Sequence, residues 1–162
     1  MFEIIDHTAD IGLRIQAATL EGLFQEAAEG MFSLLVEDLT AVREETEFPF
    51  DVAANEGFDM PTRPHPGESG TPCAAPTRLS DAWGDLLHDW LAQLLVVFDG
   101  RRMVFRRFSV RFVATGLHGR AWGERLDPER HRPRMEIKAV TYHELHIART
   151  ERGYESRIIF DL

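Results

Sequence analysis

From Ser80 to Phe98 the large apolar side chains recur at three- and four-residue spacing: Trp83, Leu86, Leu87, Trp90, Leu91, Leu94, Leu95 and Phe98. That spacing predicts an amphipathic helix, ending before Asp99-Gly100, with one broad stripe that must be covered by other apolar surface. A second stripe follows Thr19, a helix N-cap residue, through Leu20, Leu23, Phe24, Ala27, Ala28, Met31, Phe32 and Leu35. Its opposite face carries Glu21, Gln25, Glu26 and Glu29. Gly22 and Gly30 weaken this helix by about 1 kcal/mol each relative to Ala, a cost that close packing would account for. His88 and Asp89 fall on the more polar side of the later helix, where a solvated pair is expected rather than a metal site.

The other periodic stretches alternate at two residues and read as strands: Phe2 to Ile5, Ile11 to Ala17, Glu47 to Val52, Met103 to Phe105, Phe108 to Ala114, Leu117 to Trp122, Glu136 to Tyr142, Leu145 to Arg149 and Ser156 to Phe160. Pro49 pushes its strand to a sheet edge, and Gly116, Gly119 and Gly153 mark turns. Two helices set among runs of strands give an α+β class, with the helices packed on a largely antiparallel or mixed β-sheet. The length suits one domain, residues 1–162. Within it, 53–79 reads as a flexible Pro/Gly-rich insertion, since five of the eight prolines lie between Ala53 and Thr77 and no period survives there.

Charge narrows the class of partner. The formal net charge of −9 disfavours a surface that tracks a phosphate backbone, so direct nucleic-acid binding is not expected. The basic runs at Arg101-Arg102, Arg106-Arg107 and Arg130, Arg132, Arg134 read as solvated turns and strand ends. No apolar run is long enough to span a membrane and no leader pattern opens the chain, which makes the cytoplasm the expected location. The single cysteine, Cys73, reads as incidental. A Gly-rich phosphate loop, a GxSxG elbow and an HExxH pair are all missing from the sequence, and no nucleophile and base pair suggests an independent enzyme.

Two polar clusters remain. Asp6-His7-Thr8-Ala9-Asp10-Ile11-Gly12 crowds two carboxylates, an imidazole and a hydroxyl into a tight turn between two strands. Asp6 and Asp10 would serve as turn formers through Asx-type hydrogen bonds. Alternatively, if the two ends of the chain meet, Asp10 joins Asp161 in an all-oxygen site for a hard cation. The second cluster runs from Gly123-Glu124 through Asp127 and His131 into Glu136-Ile137-Lys138-Ala139-Val140-Thr141-Tyr142-His143. Lys138 is the only lysine beside seventeen arginines, and it either pairs with Glu136 or Glu124 or has a functional role. His143 and His146 are three apart on a strand or turn and make a poor chelating pair.

The blocks HTADIG at His7 to Gly12, Asp89-Trp90-Leu91 to Leu95, Gly123-Glu124 with Asp127 to His131, EIKAVTYH at Glu136 to His143, and the ending Ile159-Phe160-Asp161-Leu162 together resemble the archease family. The resemblance runs nearly end to end and departs only from about Ala53 to Thr77. It implies a non-catalytic cytoplasmic protein that activates the RtcB-type RNA ligase in tRNA splicing and RNA repair, promoting guanylylation and multiple turnover. It also implies a bound divalent cation, calcium, held by Asp10, Asp161 and Leu162. His7, Glu124, Lys138 and His143 are candidates for partner contact or for supporting those ligands; His7 either orients Asp10 or caps the turn. A chaperone-like modulator of a tRNA methyltransferase is the alternative function.

Overall fold

A computed structural model of the chain describes residues 1–6, 10–60 and 75–162. Strands β1 (Phe2–Asp6) and β2 (Ile11–Ala17) precede helix α1 (Leu20–Leu35), a short 3-10 turn (Leu39–Ala41) and β3 (Thr46–Ala53). β4 (Thr77–Arg78) leads into helix α2 (Asp81–Arg101), and then come β5 (Met103–Val113), β6 (Gly116–Arg125), a four-residue helix α3 (Pro128–His131), β7 (Ala139–Val140), β8 (His146–Thr150) and β9 (Gly153–Asp161).

Every strand pairing among the described residues is antiparallel. One sheet has the order β1-β2-β9-β8-β4, with β7 also paired to β9, and a smaller sheet has the order β3-β6-β5. Both long helices touch strands of both sheets, so they form a middle layer rather than a cover on one sheet. This is why α1 is apolar around so much of its girth: Leu23, Phe24, Ala27, Ala28, Met31, Phe32, Leu34 and Leu35 are all buried. The α+β class is therefore borne out, with the helices sandwiched.

Local chemistry explains the element ends. Thr19 caps α1 by accepting the Gly22 N–H at 3.0 Å. Gly30 permits a close approach, because a Cβ there would stand 2.8 Å from Leu13 Cδ1. α2 runs past the expected stop and through Gly100, ending where Arg102 turns into the left-handed region at φ 55°. Ser80 occupies its N-cap position without a side-chain cap bond.

Several strand expectations change. The two segments on either side of Arg106 are one strand, β5, kept continuous by a bulge between Phe105 and Arg107. Gly116 (φ 146°) and Gly153 (φ 126°) open β6 and β9 directly after two-residue turns, but Gly119 lies inside β6 against Trp90. Of Glu136 to Tyr142, only Ala139–Val140 pairs as strand, and the expected two-face alternation fails because Ile137 and Val140, three apart, are the buried pair. Within 53–79, Thr77–Arg78 pairs with β8; residues 61–74, Cys73 among them, lie outside the described residues.

Candidate functional site

β2 pairs with β9 in a register that sets Ile11 opposite Phe160. Continued by one position, the same register sets Asp10 opposite Asp161 at the end of the sheet. On the other side of β9, β7 sets Ala139 opposite Asp161 and Val140 opposite Phe160. The two aspartates expected to meet are thus brought to one tip by adjacent strands. Neither carboxylate makes a hydrogen bond or ion pair with a described residue. Asp10 is half-buried and Asp161 exposed.

Lys138 closes this tip from the β7 side. Its main-chain N–H donates to the Asp161 carbonyl at 2.8 Å, and its Nζ donates to the main-chain oxygen of Leu162 at 2.9 Å. Pairing with Glu136 or Glu124, one of the two readings of this lysine, does not form: the ammonium meets the Leu162 main-chain oxygen instead. Thr141 adds a main-chain and a side-chain bond to the Ile159 carbonyl, each 3.0 Å.

The donor set fits a hard divalent cation in kind: two carboxylates at one sheet end with main-chain oxygens beside them, and no sulfur or imidazole from a described residue. Among the described residues no group of three or more His, Cys, Asp or Glu could hold a metal ion. A cation at this tip would therefore rely on Asp10 and Asp161 and complete its shell with main-chain, water or partner oxygens. Leu162 contributes an oxygen that Lys138 already occupies. His7 lies outside the described residues, as do Thr8 and Ala9.

Glu124 does not belong to this tip. Only 5% exposed, it receives Arg130 Nη2 at Oε2 (2.8 Å), the Arg43 N–H at Oε1 (2.7 Å) and His131 Nε2 at Oε1 (3.0 Å). His131, fully buried, accepts the Asp127 N–H at Nδ1 (2.8 Å), so the proton it offers Glu124 is on Nε2. The Arg130 guanidinium, with these other donors, holds the Glu124 carboxyl down at about 2 despite the opposing effect of burial. Glu124 is thus buried in a network of its own rather than standing on the surface. The same network corrects the solvated reading of Arg130.

His143 is exposed near Glu144, at 4.0 Å, and makes no pair with His146, whose Nδ1 bonds the Glu144 carbonyl at 2.8 Å. His88 is not a solvated partner of Asp89. Its Nδ1 meets Asp89 Oδ1 at 2.9 Å, its Nε2 meets the Val140 carbonyl at 3.0 Å, and its ring stacks on Tyr142 with centroids 3.8 Å apart. The sequence held one signal of this, a histidine on the polar flank of a buried helix, but nothing in it pointed to Val140. Through His88, α2 braces the β7 segment that carries Lys138. Burial, and then the Asp89 and Asp85 carboxylates, push the Tyr142 hydroxyl above its ordinary range.

The model of the archease protein family (MTH1598/TM1083) matches residues 2–60 and 77–162. "Protein archease" of Methanopyrus kandleri is 32% identical over 165 residues, covering 99% of each chain. That of Sulfolobus acidocaldarius is 30% identical over 164 residues, covering 99% of this chain and 98% of its own. The solution structure of Methanobacterium thermoautotrophicum protein 1598 superposes with a TM-score of 0.70 at 29% identity, covering 99% of this chain and 98% of the other. The crystal structure of a Thermotoga maritima archease, described as a possible chaperone, shares the fold with a TM-score of 0.55 at 21% identity, over 100% and 98% of the two chains. With the match running through β1 to β9 and interrupted only over 61–76, this chain belongs to the archease family.

Proposed function

We propose that this protein is an activator of an RtcB-type RNA ligase, acting through the acidic tip formed by Asp10 and Asp161. The observation that supports the reading is the register of β2 on β9, which, continued one position beyond Ile11 and Phe160, brings Asp10 and Asp161 to the same end of the sheet. Sites built on paired strands hold their geometry better than sites on loops. A divalent cation bound there supplies positive charge beside the phosphates of a nucleotidyl transfer. The protein's own residues do the positioning: β2 and β9 fix Asp10 and Asp161, Lys138 fastens residues 161 and 162, and His88 fastens the segment that carries Lys138. Net charge of −9 favours a basic protein partner over RNA. No helix among the described residues is long and apolar enough to cross a membrane.

Single-turnover guanylylation of the cognate ligase, with and without this protein, tests the reading. Wild type should accelerate the step, and Asp10→Ala and Asp161→Ala should each abolish the acceleration while remaining folded. Absence of any effect by wild type would overturn it and move the modulator of a tRNA methyltransferase to first place.

A further inference from the structure

A second feature lies on the smaller sheet, away from the acidic tip. Among the described residues β3 is an edge strand, and α2 runs antiparallel beside its outer edge. Arg101 lies over the Phe48 ring at 5.2 Å, Gln93 reaches the Asp51 carbonyl at 3.5 Å, and Asn55 meets Asp85 at 3.2 Å. Between strand and helix is a groove of about 830 Å³. Val96, 69% exposed, stands on its α2 wall, although the other large apolar side chains of that helix are buried or half-buried.

The hydrogen-bonding phase of the edge follows from one contact. The Ala54 N–H donates to the directly opposed Thr115 carbonyl at 2.9 Å, so even-numbered β3 residues bond β6 and odd-numbered ones face outward. Glu47 and Asp51 thus present N–H groups that no described residue accepts, while Pro49 presents only a carbonyl. Gln93 already places a carboxamide, the side-chain equivalent of a peptide group, against the Asp51 carbonyl. At 3.5 Å that bond is at the outer limit and readily displaced.

We propose that this groove binds an extended segment of a partner protein, laid along β3 as an added strand, with an apolar side chain on Val96 and a Lys or Arg at Asp51 or Asp89. Charge favours a basic segment, since two carboxylates, Asp51 and Asp89, stand against one guanidinium, Arg101, in the lining. Asp51 meets His118 through one oxygen, while Asp89 meets both His88 and the Tyr142 hydroxyl, which leaves Asp51 as the more available carboxylate. A second copy of this chain is the poorer occupant. Two β3 edges paired about Pro49 would set Glu47 against Asp51 and lose two N–H donors, between molecules of net charge −9 each.

Selection of short random peptides on the full chain tests the proposal. Enriched sequences should alternate apolar residues with Lys or Arg, and their binding should slow hydrogen exchange at the Glu47 and Asp51 amides. Val96→Glu in the protein, and N-methylation of alternate peptide residues, should each weaken binding by about tenfold or more. Failure to enrich such peptides, or affinities indifferent to both changes, would overturn it. So would a wild-type dimer that Val96→Glu dissociates. None of these readouts depends on ligase activation.

Discussion

Arg130 sets its guanidinium against the Glu124 carboxylate, with Nη2 to Oε2 at 2.8 Å, and so ties α3 back onto the end of β6. Because the folded carboxyl titrates at about 2, well below its ordinary 4.5, the stability it contributes is fully present above about pH 4.5 and is lost as the pH falls towards 2. For a carboxylate this buried the contribution is roughly 2 to 3 kcal/mol. Urea unfolding of wild type should therefore lose stability between those two pH values more steeply than Glu124→Gln does. Parallel curves would show that the pair contributes little.

A steric prediction arises inside β6. A Cβ at Gly119 would lie 2.3 Å from Trp90 Cζ3 and 2.7 Å from Cη2, and Trp90 is held in place by its Nε1 bond to the Phe24 carbonyl at 3.1 Å. With the indole unable to retreat, Gly119→Ala should destabilise the protein by about 1 to 3 kcal/mol. Chemical unfolding measures this, and the same substitution at exposed Gly100, where nothing lies within 4 Å, is the matched control.

Gly119 also shows where sequence reading stops. Both helices and the α+β class were legible because apolar period is a local property, fixed by which face each residue must bury. The tip was legible only as two separated aspartates at opposite ends of the chain; the register that opposes them belongs to the β2–β9 pairing, which no local window contains. Turn chemistry misled at Gly119, since glycine serves close approach as readily as a turn. The alternation rule misled at 136–142, where main-chain bonds to Ile159 and Asp161, rather than a long ladder, hold the segment. Glu124 was legible only as a candidate contact, because its partners, Arg43 and the adjacent pair Arg130 and His131, come from two segments distant from each other in the chain.

The tip makes its own thermal prediction. Without a cation, carboxylates directly opposed on neighbouring strands repel, so Asp10→Asn and Asp161→Asn should leave the midpoint of unfolding unchanged or slightly raised. With calcium at a hundred times its dissociation constant, wild type should gain about 2.7 kcal/mol, on the order of 5 to 10 °C. Each variant should gain much less. Differential scanning fluorimetry with and without calcium checks the crossing, which general damage to the fold would not produce.

Lys138 poses a question of sign that salt resolves. Its Nζ holds the Leu162 main-chain oxygen at 2.9 Å, which orders a potential ligand, yet its charge sits beside the position a cation would take. Ordering one exposed carbonyl is worth about 0.5 to 1 kcal/mol, and repulsion between unit charges a few ångströms apart in a solvated setting is about 1 kcal/mol or more. Because the main-chain bond from Lys138 to Asp161 survives substitution, repulsion should win. Lys138→Met is therefore expected to bind calcium roughly two- to fivefold more tightly than wild type at low ionic strength, an advantage that fades as the Debye length falls to about 3 Å near 1 M salt. Calorimetric titration across that range separates the effects: weaker binding by Lys138→Met at every salt concentration would mean that fastening Leu162 outweighs the charge.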